Sequence, residues 1–205
     1  MSDRPLVLAS ESPRRARLLA MLGIRFEVLP ADLDEERRPA EPPGGYAERT
    51  AREKASAVRA DRPRSVILAA DTIVVLDDEV LGKPAGVEEA VHMLMRLQGR
   101  SHEVQTAVAV AGPDGSLRSG VETTRVAVRP FDAATAASYA ATGEPLDKAG
   151  AYGIQGYGAT LVEAIEGDFF AVMGLPIVRA LRLLEEAGWR YQFRSPGTSA
   201  GAPPG

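Results

Sequence analysis

The stretch Val66-Ile67-Leu68-Ala69-Ala70-Asp71-Thr72-Ile73-Val74-Val75-Leu76 constrains this chain most. Its first five residues are uninterrupted apolar ones, the composition of a buried strand that needs other layers packed against it. A carboxylate then stands where the run ends, at Asp71. Ile73 to Leu76 carries the strand on to an Asp77-Asp78 turn, and Val80 to Pro84 closes a hairpin.

The segments around it alternate between helical and extended patterns. Leu6 to Ala9 reads as a short strand, followed by Ser10-Glu11-Ser12-Pro13 and a helix to about Leu22. Ser12 suits the N-cap and Pro13 the first helical position, because the missing proline N–H is one the helix could not use anyway. Gly23 stops that helix, and Phe26 to Leu29 reads as a strand. An acidic stretch, Asp32 to Glu36, and a Pro/Gly-rich one, Pro39 to Gly45, form a loop before a helix over 46–59. The inner stripe of that helix is Ala47, Ala51, Ala55 and Val58, and Lys54 falls on it. Further on come a helix over 87–97, strands over 103–111 and 117–128, and a helix from the Asp132 cap to Gly143. A five-glycine loop over 143–158, a strand over 160–165 and a last helix opened by Gly174-Leu175-Pro176 complete the pattern. The order implies an α/β fold, with strands and helices alternating early and a β-hairpin in the middle.

Composition limits the chemistry. The chain has 205 residues, no cysteine and two histidines, so disulfides, thiolate metal sites, cysteine nucleophiles and HExxH zinc sites are excluded. A net charge of −4 argues against a nucleic-acid partner. Apolar runs are broken well before 18 residues, which argues against a membrane partner, and no leader pattern opens the sequence; the expected location is cytoplasmic. The length suits one domain, or one domain with two lobes, over 1–194, and the Pro/Gly/Ser/Ala-dominated stretch 195–205 is expected to be a disordered tail. Of 24 basic residues only Lys54, Lys83 and Lys148 are lysines. Lysine is a compact point charge suited to phosphate oxygens, so its retention among so many arginines draws attention to these positions.

Three groups of residues can carry chemistry. The turn Ser10-Glu11-Ser12-Pro13-Arg14-Arg15 gathers free N–H groups, hydroxyls and guanidinium groups at a helix start, where arginines oppose the dipole unless an anion is present. Read without a ligand, it is a Ser-Pro cap with two solvated arginines. Asp71 is placed where α/β sheets present catalytic groups, or else it forms an Asx turn between two strands. Glu35 can hold a divalent cation together with Asp71, or belong to an acidic surface loop. In the glycine loop, Lys148 and Gln155 lie where the backbone can approach a ligand closely, and the Gln155 amide can both donate to and accept from a base edge. His92 and His102 are expected to be structural.

Together these segments resemble the Maf family of nucleoside triphosphate pyrophosphatases. The matching pieces are Leu8-Ala9-Ser10-x-Ser12-Pro13-Arg14-Arg15, Asp34-Glu35, Arg52-Glu53-Lys54-Ala55, Ala70-Asp71-Thr72 and Leu81-Gly82-Lys83-Pro84. They continue with Gly99-Arg100-x-His102-x-Val104-x-Thr106, Asp147-Lys148-Ala149-Gly150-Ala151-Tyr152-Gly153-Ile154-Gln155-Gly156 and Gly174-Leu175-Pro176. The resemblance implies an ITPase-like α/β fold, a mixed, elongated sheet flanked by helices in two lobes with a central cleft, often dimeric. It implies hydrolysis of a nucleoside triphosphate to the monophosphate and pyrophosphate with Mg²⁺ or Mn²⁺. Asp71 would accept the proton of the attacking water, Ser10, Arg15, Lys54 and Lys83 would hold phosphate oxygens, and Glu35 would help bind the metal. Lys148 falls within a matched motif and is expected to contact substrate. Arg14, Thr72 and Gln155 match the dTTP/UTP branch rather than the 7-methyl-GTP branch. An ITP/XTP-type purine pyrophosphatase and a nucleotide-binding regulator of division remain the alternatives.

Overall fold

The structure is a computed structural model and describes residues 4–193; the tail expected over 195–205 lies outside them. Seven strands form one sheet: β1 (Leu6–Leu8), β2 (Glu27–Val28), β3 (Val66–Leu76), β4 (Glu79–Leu81), β5 (Ser101–Ala111), β6 (Leu117–Val128) and β7 (Val162–Glu166). Their order is β2-β1-β3-β5-β6-β7, with β4 pairing β3. β1 runs parallel to both β2 and β3, so α1 (Pro13–Met21) and α2 (Pro43–Asp61) are crossover helices. Every other pairing is antiparallel.

β3 organises the molecule. One of its edges pairs continuously with β5, from Ile67 opposite Ala111 to Val75 opposite Glu103. Its other edge is shared: β1 pairs residues 66–68, and β4 pairs residues 74–76. Asp71 and Thr72 fall in the interval between those two partners. The Asp77-Asp78 link to β4 has φ of 52° and 65°, the left-handed pair that a two-residue hairpin turn requires.

Alternation along β3 separates three apolar clusters. Val66, Leu68 and Ala70 face Leu18 and Leu19 of α1 and Ala180 and Leu184 of α6 (Ile177–Glu186). Val74 and Leu76 continue the same face but pack against Leu94 and Leu97 of α3 (Val87–Leu97) and Ala136 and Ala140 of α4 (Ala133–Ala140). Between these two clusters that face carries Thr72 and, on β5, Thr106, whose hydroxyls lie 3.0 Å apart. This polar pair divides the apolar packing of that face in two. The opposite face is a single cluster in which Ile67, Ala69, Ile73 and Val75 meet Ala47, Ala51, Ala55 and Val58 of α2. Small residues on both α2 and β5 bring this helix close to the sheet.

Several boundaries differ from the sequence reading. α2 begins at Pro43 instead of Tyr46, because Pro43 fills its first position and Gly44 fits where a Cβ would lie 3.2 Å from Gln105 Oε1. Ser12 holds the N-cap position of α1, yet its side chain makes no capping bond; Ser10 Oγ instead accepts the Ser12 N–H at 3.2 Å. The glycine loop contains three 3₁₀ turns, Glu144–Asp147, Ala149–Ala151 and Gly156–Thr160, which delay β7 to Val162. A short α5 (Phe169–Val172), unforeseen in the sequence, is capped by Asp168, whose Oδ1 accepts from the Phe170 N–H at 2.7 Å.

Candidate active site

Asp71 lies on the α2 face of β3, and Lys54 comes down from the inner stripe of α2 to meet it. Nζ of Lys54 donates to Asp71 Oδ1 at 2.9 Å, with both side chains 11% exposed. The same ammonium reaches Glu35 Oε1 at 2.9 Å, and that glutamate is 45% exposed. Two carboxylates, one buried and one open to solvent, are thus drawn together by one lysine. Glu35 is held in turn from α2: the Tyr46 hydroxyl donates to the Glu35 carbonyl at 2.6 Å. Arg49 grips Glu41 with two bonds of 2.7 and 2.9 Å and also donates to the Glu36 carbonyl. Hydrogen bonds from Arg49 and the Arg38 backbone, against a burial effect that raises it, bring the Glu41 carboxyl down to about 2.

Thr72 points to the opposite face, where α1 supplies Arg15. This arginine is 8% exposed. Its Nε donates to the Gly174 carbonyl at 2.8 Å, Nη1 to Ser10 Oγ at 2.9 Å and Nη2 to Thr72 Oγ1 at 3.1 Å. Three of the five N–H donors of a guanidinium are thereby engaged. Thr106 continues the network by donating to the Ala171 carbonyl at 2.7 Å. Burial pulls the Arg15 pKa down, and Asp71 and then Glu35 oppose that pull by their charge. The arginine therefore senses both carboxylates, and the Asp71-Thr72 dipeptide links the two clusters through the sheet.

The remaining sequence candidates are Arg14, in the first turn of α1, and Lys83, Lys148 and Gln155, on loops. Arg14 pairs with Asp147 Oδ2 at 3.0 Å, tying the start of α1 to the glycine loop. Lys148 pairs with Asp147 Oδ1 at 2.6 Å and also donates to the Glu144 carbonyl. Lys83 is exposed, beside Gly82, whose carbonyl accepts the Gly150 N–H at 3.0 Å. Gly150 has φ of 69°, and a Cβ there would lie 2.9 Å from the Val74 methyl groups, so only glycine lets the loop sit this close to β3. Gln155 is exposed. Among the described residues no hydrogen bond or ion pair joins Lys83, Lys148 or Gln155 to Asp71. A cavity of about 450 Å³ lies between α2, which supplies Glu48, Arg49, Arg52 and Ser56, and Leu117 at the start of β6.

The sequence reading missed Tyr46, Arg49, Thr106 and the Gly174 carbonyl, which hold the candidates in place. Only Thr106 and Gly174 lay inside motifs already singled out. His102, expected to be structural, is buried with Nε2 2.7 Å from the Tyr152 hydroxyl, while its Nδ1 has no partner among the described residues. Burial lowers its pKa to about 4. The folded state thus excludes a proton that the unfolded chain takes up near 6.5, so stability falls as pH drops from about 6.5 towards about 4. Thermal melts over this interval are expected to show that decline, and His102→Gln a shallower one. Equal slopes for the two proteins would assign the decline to other groups.

Residues 5–187 match the family described as Maf, Maf-like protein. A relative from Koribacter versatilis (strain Ellin345) named dTTP/UTP pyrophosphatase is 48% identical over 89% of this chain and 94% of its own length. One from Myxococcus xanthus (strain DK1622) with the same name is 50% identical over 93% of this chain and 96% of its own. Among solved structures, the Staphylococcus aureus Ham1 protein shares the fold, with a TM-score of 0.52 at 14% identity over 89% of this chain and 97% of that one. A family match spanning nearly all described residues, with about half of the aligned positions shared with relatives matched over nearly their whole length, places this chain in the Maf family.

Proposed function

We propose that this chain hydrolyses dTTP and UTP to the monophosphate and pyrophosphate. The observation that carries the reading is its near-full-length similarity to relatives named for that activity. The geometry supplies suitable chemistry. A water molecule attacks the α-phosphorus, the bond from that phosphorus to the α–β bridging oxygen breaks, and pyrophosphate leaves. Asp71 accepts the proton of the water. Lys54, Arg15, Ser10 and Lys83 hold the phosphate oxygens, where negative charge accumulates in the transition state. Arg15 suits this because its three internal bonds fix the guanidinium plane and leave two donors free. Arg14 and Lys148 add positive charge at the mouth of the glycine loop, Thr72 anchors Arg15, and Gln155 reads the base.

Glu35 and Asp71 are the residues that would hold a divalent cation, Mg²⁺ or Mn²⁺. Among the described residues no group of three or more His, Cys, Asp or Glu is placed to hold a metal ion. Two carboxylates fit a cation that takes its remaining oxygens from substrate phosphates and water. When bound, it neutralises phosphate charge. We further propose a homodimer acting in the cytoplasm; among the described residues no helix is long and apolar enough to cross a membrane.

A panel of nucleoside triphosphates scored for released pyrophosphate, with each cation in turn, tests the reading. dTTP and UTP are expected to turn over fastest. A clear preference for ITP would replace it with the purine-type activity, and binding without turnover of any nucleotide would leave only a binding protein.

A further inference from the structure

The segment carrying Gln155 is held at four points by groups outside the carboxylate centre. Glu144 Oε2 accepts the Tyr157 N–H at 2.9 Å, and Glu144 Oε1 accepts the Gly158 N–H at 2.9 Å. The Tyr139 hydroxyl donates to Glu144 Oε1 at 2.9 Å and accepts from the Gly153 N–H at 3.1 Å. Upstream, Tyr152 is fixed by the buried His102 contact. The fit is close: a Cβ at Gly156 would lie 2.4 Å from Glu144 Oε2, and one at Gly158 would lie 2.6 Å from the Tyr139 hydroxyl.

Burial pushes the Glu144 carboxyl up, but the bonds from Gly158, Tyr157 and Tyr139 and the Lys148 charge outweigh it, and the group stays below the ordinary carboxylate range. An ionised carboxylate can accept both N–H groups at once, and such charge-assisted bonds are strong. Glutamine cannot, because its own NH₂ would face one of the donors. The backbone is thus pinned on both sides of an exposed side chain, the arrangement that lets one amide keep a fixed orientation towards a ligand.

We propose that Glu144 and Tyr139 are positioning residues that decide which base Gln155 accepts, by fixing the backbone of residues 153–158. The inference rests on the pyrimidine triphosphatase reading above. Two variants test it: Glu144→Gln, which spoils the paired acceptor, and Tyr139→Phe, which removes one donor and one acceptor in a single oxygen. Each is compared with the unaltered protein by hydrogen exchange and by initial rates with UTP and GTP.

Exchange of the 153–158 amides is expected to quicken about tenfold or more, confined to that segment. KM for UTP is expected to rise about tenfold with kcat within about twofold, and the preference for UTP over GTP to fall at least about fivefold. Unchanged exchange in both variants, or acceleration spread evenly over the sheet, would overturn the clamp. Faster local exchange with an intact UTP preference would overturn its role in base selection. An unaltered protein inactive on both nucleotides would overturn the reading of the function and that role with it, while the exchange data would still decide the clamp.

Discussion

Asp71→Asn is expected to lower kcat for dTTP by about 10³-fold, within the 10²–10⁴ range that a positioned general base supplies. Affinity for a non-hydrolysable analogue should stay within a few-fold of the unaltered protein. The substitution keeps the shape of the side chain and removes only its capacity to take a proton and its charge. Lys54 retains a partner, since its ammonium already reaches Glu35 at 2.9 Å, and Arg15 keeps all three bonds that orient it. Phosphate-binding groups therefore stay in place while the proton acceptor is gone. Single-turnover pyrophosphate release and calorimetric binding separate the two effects. Turnover within about tenfold of the unaltered protein would move the base to another group, with Glu35 the first candidate because it shares the same lysine. A parallel loss of binding and turnover would assign Asp71 to holding the cation or the fold and move the proton acceptor elsewhere.

The order of elements and the central residues of this site were legible because each has a local signature. Asp71 interrupts an apolar strand, and Lys54 follows Ala51 by three residues on a stripe of alanines, so periodicity alone placed both towards the sheet. Their meeting was not legible. Nothing local states that α2 crosses the α2-facing side of β3 in the register that brings Nζ to Oδ1. Arg15 was visible as a cation at a helix start, but its orientation depends on the Gly174 carbonyl, 159 positions away. Ser12 was read as a capping side chain because its type and position suit the role; Ser10 took the Ser12 N–H since its hydroxyl is also held by Arg15. Within the glycine loop, composition showed a backbone able to approach a ligand closely, whereas the folded chain has 3₁₀ turns, with Glu144 holding the one over Gly156–Thr160 and Tyr139 holding Gly153. Glycine content reports permitted conformations, and long-range acceptors choose among them.

The second large effect is expected on stability. Lys54→Met should destabilise the fold by about 3 kcal/mol or more, because it strands a charge that the interior had compensated. At about 2–4 °C per kcal/mol for a chain of this size, the melting temperature should fall by roughly 10 °C. Methionine preserves the unbranched stem against Ala51 and Ala55, so packing changes little and the electrostatic loss dominates. Adding Asp71→Asn to Lys54→Met removes the stranded charge as well, and most of the stability is expected to return. That coupling should amount to about 2 kcal/mol in a double-mutant cycle followed by urea unfolding. Glu35 contributes little to it, since an ion pair with a partner this exposed is worth at most about 1 kcal/mol. Additive losses would mean that water entering between β1 and β4 already solvates Asp71 when Lys54 is absent. The carboxylate would then face an open crevice, and Lys54 would serve substrate phosphates without maintaining the charge state of the strand.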